Sequence, residues 1–353
     1  MIDIKHKVFK FVGGRILKTG LAAFLTAWIC DALGLPVLFA VITAIVTVEP
    51  TASDSIKKGI VRFPAAAIGA GFAMLFESML HQSPFTYALA ATFTLIACHK
   101  LGLDDGMLVA TLTAVAMIPD TSGEYMISFV GRLSTTLIGI VVSTAVNYFV
   151  MPPKFHTMIN QGVKRLYRNA GDLLDQIIAD LPHAKRQTLV YQRLSRDLER
   201  TYKLIAYQRE EWKYRRHSIH EVRTFSVVLK KLEYLQKILY HLGNMLFTDT
   251  KNGIDPEDHR IIIEAGRSIS KAFHNPSTQL TQEHIDSIEK LDQLFHDLDD
   301  SREEATDPRH HFTGKMIVIF ELLSLNDVID DLSILEEKES RYMNRGEKRD
   351  ADL

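Results

Sequence analysis

Residues 131–153 read GRLSTTLIGIVVSTAVNYFVMPP, and their one charged side chain is Arg132, near the start. The stretch is long enough to cross a bilayer, which takes about 20 apolar residues. A guanidinium inside such a span costs about 3 kcal/mol on insertion scales, so it calls for water, a partner or a ligand. A second copy of the pattern lies 70 residues earlier. Leu25, Ala27 and Leu33 meet Leu95, Ala97 and Leu103. Ala40, Thr43, Ala44 and Thr51 meet Ala110, Thr113, Ala114 and Thr121. Arg62 meets Arg132, Ile68 and Gly69 meet Ile138 and Gly139, and Glu77 meets Asn147. At this offset the overlay needs no gap.

The first half contains six candidate spans, at about 16–33, 36–50, 63–80, 84–100, 106–120 and 128–150. The second and fifth have short apolar cores, each closed by an acid and a proline, Glu49-Pro50 and Pro119-Asp120. At about 1.5 Å per residue a 12-residue core covers about 18 Å, less than the hydrocarbon thickness. Such spans are broken, or are finished by polar backbone packed in protein. Lys and Arg set the orientation. They crowd the N-terminus (Lys5, Lys7, Lys10, Arg15, Lys18) and the link with Lys57, Lys58 and Arg62. They are absent from the links at 31–36, 77–84 and 119–128. Both termini are therefore expected in the cytoplasm. Three spans per copy is an odd number, so the copies run in opposite directions, as in transporters with a midplane site beside interrupted helices.

Composition divides the chain at Pro152-Pro153. Residues 1–150 hold only 10 of the 41 basic and 9 of the 43 acidic residues. The expected fold is all-α: a six-span membrane domain of two inverted three-span repeats over 1–153, then a cytoplasmic helical bundle over 154–353. Cys30 and Cys98 sit in apolar runs, too few for a disulfide framework and without metal spacing. The lysines before the first span raise a signal peptide, but further apolar runs follow and the first is read as a retained helix.

Arg62 and Arg132 are read as either snorkelling cations or a symmetry-related pair lining an anion path. Guanidinium forks suit carboxylates, with Thr43 and Thr113 of the short spans between them. Glu49 and Asp120 could cap backbone or carry a coupling proton. Glu77 and Asn147 suit bonds between helices or contact with substrate. Thr43, Thr47, Thr111 and Thr113 can bond back to their own helix carbonyls. Gly69–Ala73 and Gly139–Ser143 have the small residues of close helix contacts.

The second half predicts amphipathic helices near 155–181, 184–216, 218–247, 256–274, 281–304 and 310–341. Asp255-Pro256 is the strong helix-start signal and Thr281 the weaker one. The half offers no phosphate loop, Cys-rich metal site or nucleophile elbow, so no enzyme, metal or cofactor is expected. His217, His220 and Glu221 could share a helix face, and His310-His311 read as solvated. Basic residues near 213–217 are flanked by acids, which argues against nucleic acid. Lys154, Lys164 and Arg165 suit anionic lipid.

Six spans, a short second span ending TAIVTVEPT, a basic link, then Arg before a Gly-containing span together resemble the aromatic acid exporter family of Gram-positive bacteria. The stretch NDVIDDL in the last helix resembles the C-terminal domain that accompanies it. The wider group is similar to fusaric-acid-resistance exporters and plant malate channels. Many of that group carry Gln where this chain has Glu49. The resemblance implies an exporter of aromatic or other small organic carboxylates in the bacterial cell membrane. It also implies a homodimer, because larger relatives join two membrane halves in one chain, and an Arg-lined path with Arg132 and Arg62 foremost. Two other readings stay open: a passive organic-anion channel, and a membrane-anchored scaffold or sensor acting through its helical half.

Overall fold

A computed structural model describes residues 14–120, 125–150, 155–213, 217–250, 254–275, 281–303 and 312–350. Their regular structure is entirely helical. The N-terminal lysines 5, 7 and 10, together with Lys154, His310 and His311, lie outside the described residues. Contacts divide the chain into two units, Met1–Lys154 with Arg209–Arg215, and Phe155–Gln208 with Arg216–Leu353.

The first unit contains α1 (Gly14–Ala32), α2 (Val37–Thr47), α3 (Ala52–Leu80), α4 (Pro84–Lys100), α5 (Met107–Met117) and α6 (Tyr125–Phe149). Two of these, α3 and α6, are individually long and apolar enough to cross a membrane. The helix α3 begins eleven residues before the expected third span. Its N-cap is Thr51, whose hydroxyl accepts the Asp54 amide at 3.0 Å, and Asp54 adds a negative charge to the positive first turn. The basic stretch with Lys57, Lys58 and Arg62 is therefore helix and not link. Pro64 is accommodated inside it. Two carboxylates from the Arg209–Arg215 segment also meet the start of α3: Glu211 accepts the Ala52 amide at 3.0 Å and Glu210 the Ser53 hydroxyl at 3.2 Å. Hydrogen bonds from Lys213 first, then from Lys57, hold the Glu210 carboxyl down to about 2.

This unit is small and polar inside and bulky and apolar outside. Its buried side chains are largely Ala, Ser and Thr, among them Ala40, Ala66, Ala70, Thr26, Thr47 and Thr94. Phe85 is 74% exposed, Ile60 70% and Trp28 64%. Water penalises such a surface by about 25 cal/mol per Å², whereas lipid does not, and close backbone contact between small residues is how helices associate there.

Contacts recur at the 70-residue offset. The two short helices, each 11 residues, correspond residue for residue. A Cβ on Gly69 would fall 2.2 Å from the Ala110 carbonyl oxygen, and one on Gly139 would fall 2.5 Å from that of Ala40. Asn147 donates to the Ser55 hydroxyl at 2.8 Å, and their offset counterparts Glu77 and Tyr125 are also neighbours. The first helices instead correspond at an offset of 68. The buried ladder Lys18, Ala22, Thr26, Cys30 of α1 matches Thr86, Ala90, Thr94, Cys98 of α4. Gly34 and Gly102, which end these helices with φ of +66° and +67°, match at the same offset. The two-residue difference is the 3-10 turn Asp104–Gly106, present in the second copy where the first has Pro36 alone. The gap-free overlay thus holds for the second and third helices of each copy, not the first.

The second unit contains α7 (Phe155–Ala179), the 3-10 segment Leu181–Gln187, α8 (Thr188–Trp212), α9 (Ile219–Phe247), α10 (Pro256–His274), α11 (Gln282–Glu303) and α12 (Gly314–Asp350). The last turn of α8 belongs to the first unit. Leu173, Leu174, Ile177, Leu232, Leu235 and Ile238 form the buried apolar interior of the second unit. The helix α9 starts in a capping box: Ser218 and Glu221 bond each other's backbone amides at 3.1 and 2.9 Å. Glu221 is thereby committed to the backbone. The cap signals at 255 and 281 exchange strength. The Asp255 carboxylate makes no cap bond and lies 3.6 Å from Lys315, while Thr281 accepts the His284 amide at 3.3 Å.

Candidate functional site

The helices α2 and α5 are short, about 16 Å each, and expose polar chain ends inside the first unit. The helix α2 ends at Thr47, so the Val46 carbonyl has no intrahelical donor. Arg62, 6% exposed, supplies one. Its NH1 donates to Val46 O at 3.2 Å, its Nε to Asp105 O at 3.3 Å and its NH2 to Glu49 Oε1 at 2.8 Å. The second Glu49 oxygen lies 3.4 Å from Lys58 Nζ. All three Arg62 nitrogens are thus bonded to protein, and Glu49 is an ion-pair partner for two cations.

Arg132, 8% exposed, stands in a different setting. Its NH2 donates to the Thr113 hydroxyl at 3.2 Å, and its guanidinium carbon lies 3.6 Å from the centre of the Phe39 ring. A face-on cation of this kind is attracted by the ring quadrupole. The two arginines share a register position in sequence; Arg62 is paired with Glu49, and Arg132 meets an aromatic ring and a hydroxyl.

Of the threonines, Thr113 meets Arg132, whereas Thr43 packs its side chain against Gly139. Thr47 and Thr111 donate to the carbonyls of Thr43 and Met107, at 2.7 and 2.8 Å, the backbone-bonded arrangement. Asp120 closes the 3-10 turn Ile118–Asp120, and its side chain lies outside the described residues. Glu77, 8% exposed, meets Tyr125.

Asn147 is the hub of a second polar cluster. Its amide donates to the carbonyls of Glu49 and Thr51, both at 3.0 Å, and to Ser55; its oxygen accepts Lys18 Nζ at 2.9 Å. This cluster joins α1 and α6 to the corner between α2 and α3. Sequence reasoning singled out Asn147 but missed Lys18 and Phe39 as partners. Lys18 was foreseeable, since the same face of α1 carries a helical ladder of small residues. Phe39 had no local signal, because its partner is 93 positions away.

Comparison with known proteins places these residues in context. The model of the aromatic acid exporter family, member 1, matches residues 10–150. A UPF0421 protein of Bacillus cereus is 40% identical over 343 residues, covering 95% of this chain and 97% of its own length. A UPF0421 protein of Halalkalibacterium halodurans is 38% identical over 334 residues, covering 94% and 92%. One from Staphylococcus aureus is 34% identical over 327 residues, covering 88% and 96%.

Proposed function

Because this chain belongs to the aromatic acid exporter family, we propose that it exports small organic carboxylates, aromatic ones foremost, across the bacterial cell membrane. Six helices cross or enter the bilayer as two inverted three-helix repeats over 1–153. Both termini and the helical domain over 154–353 are cytoplasmic, and two copies form the working unit. The inside-out character of the first unit and its contacts that recur at offsets of 70 and 68 residues support this arrangement. With three helices per copy, successive copies enter from opposite leaflets.

One observation carries the choice of site: the Arg132 guanidinium, almost fully buried, lies face-on against the Phe39 ring and donates to the Thr113 hydroxyl. A buried cation is retained where it does work. A carboxylate would take the guanidinium's charge while an aromatic ring packs near Phe39, so both halves of a benzoate-like ion find a match. Thr113 orients the guanidinium, and Thr43 borders the same short helix pair. Arg62 acts in this reading as a positioning group that caps α2. Proton exchange falls to Glu77 or Asp120 ahead of Glu49, whose carboxylate is held in ion pairs by Arg62 and Lys58.

The test is flux of labelled benzoate in proteoliposomes. Wild type should transport, Arg132→Ala should lose at least tenfold, and Arg132→Lys should keep an intermediate rate. Equal background-level uptake in wild type and Arg132→Ala would remove the carboxylate reading. Flux that follows membrane potential and ignores a proton gradient would make the protein a passive anion channel. A cellular phenotype untouched by Arg132→Ala but abolished by deleting 155–353 would make it a scaffold.

A further inference from the structure

The second unit holds a cluster of guanidiniums that the transport reading does not use. Arg193, Arg196 and Arg200 follow one another at helical spacing along one stripe of α8. Arg165 of α7 joins them across a groove of about 580 Å³, whose remaining lining side chain is Asp197. Asp197 is engaged by Arg200, NH1 to Oδ1 at 3.1 Å. Among the described residues Arg165, Arg193 and Arg196 pair with no carboxylate, although all three are exposed. Other exposed basic side chains of the second unit do pair along their own helix, as Lys230 of α9 does with Glu233 at 2.7 Å.

Packing beneath the groove holds the arginines together. Leu166, Leu194 and Leu198 are buried. A Cβ on Gly162 of α7 would lie 3.3 Å from the Thr201 hydroxyl of α8, and the rings of Phe155 and Tyr207 lie 5.7 Å apart. The two helices thus converge four guanidiniums against one carboxylate on a fixed floor. A merely solvated basic face would gain by spreading these charges along the surface, because like charges this close repel. An anion of more than one charge reverses that cost.

We propose that this groove binds a phosphate-bearing anion through Arg165, Arg193 and Arg196. Guanidinium forks match phosphate oxygens two at a time, and several forks around one volume favour a diphosphate or a phospholipid headgroup over a monocarboxylate. The volume falls within the usual range for small-molecule sites, about 300–1,000 Å³. The inference is independent of the transport substrate.

Binding of sodium pyrophosphate to the full chain in neutral detergent, at fixed 0.15 M salt, tests it by calorimetry. Saturable binding is expected in wild type. It should weaken at least tenfold in Arg193→Gln/Arg196→Gln and stay unchanged in the charge-matched control Arg260→Gln/Lys290→Gln. All the substituted side chains are exposed, and circular dichroism verifies that the helices are kept. A second arm compares nanodiscs of phosphatidylcholine with nanodiscs containing phosphatidylglycerol. A thermal midpoint raised by the anionic lipid in wild type but not in the groove variant assigns the headgroup as ligand. Pyrophosphate binding without that lipid effect assigns a free phosphate anion. If neither probe separates wild type from the groove variant, or if the control loses as much, the proposal fails.

Discussion

Glu49 is the acidic partner of Arg62. Its carboxylate neutralises Arg62, and both side chains are nearly buried, at 11% and 7% exposure. Removing one partner of such a pair leaves a charge without compensation, at a cost of about 3–5 kcal/mol when burial is complete. Glu49→Gln should therefore lower the thermal midpoint in detergent clearly, and Glu49→Gln/Arg62→Gln should recover part of the loss. A double variant no better than the single one would mean that Arg62 serves chiefly through the Val46 and Asp105 carbonyls. A second residue-scale case is His274. Its Nδ1 faces the Ser270 carbonyl at 2.8 Å and its Nε2 the Asp172 carboxylate at 2.9 Å. Both nitrogens meet acceptors, so the doubly protonated ring fits. The bond to Ser270, then Asp172, raises the imidazole pKa against the opposing effect of burial. A raised value in the folded state means stability fully present below the unfolded imidazole pKa and lost as pH rises through the folded one. Denaturant unfolding should show the second unit weakening as pH rises above about 6.5, the ordinary imidazole value, and His274→Gln should flatten that slope.

At the scale of elements, the contacts of Gly69 with α5 and Gly139 with α2 explain why two 11-residue helices can be held so closely. Neither position has room for a methyl group against the facing carbonyl. Gly69→Ala and Gly139→Ala should each destabilise by at least the ~1–3 kcal/mol typical of overpacking, and by similar amounts. Gly71 has open space around its Cα, so Gly71→Ala, which also favours helix by about 1 kcal/mol, should be neutral or stabilising in the same melts. A large effect at Gly69 with none at Gly139 would show that the two short helices are not equivalent.

The molecule as a whole joins a unit with a small, polar interior to one with a Leu- and Ile-rich interior. The first suits lipid outside, the second water. The proposed topology puts the links near 82 and 122 on the external face. Gln82→Cys and Ser122→Cys should react in intact cells with a membrane-impermeant maleimide, while the fully buried Cys30 and Cys98 stay silent without being replaced. Labelling at only one of the two positions would break the inverted plan.

By itself the sequence determined the helical class, the change of character after residue 150, the 70-residue recurrence and the family. These reside in composition and in spacing along one chain, which periodicity reads directly. It also marked Arg132, since a lone charge in an apolar span needs no structure to stand out. Only tertiary structure decided that Arg62 pairs with Glu49 and that Arg132 lies on Phe39, that the recurrence shifts to 68 residues in the first helices, and that α3 starts at Ala52. It alone brought Arg165 to the arginines of α8. Each of these depends on which side chains meet across helices distant in sequence, and hydrogen-bond geometry and close packing settle that only once the helices are assembled.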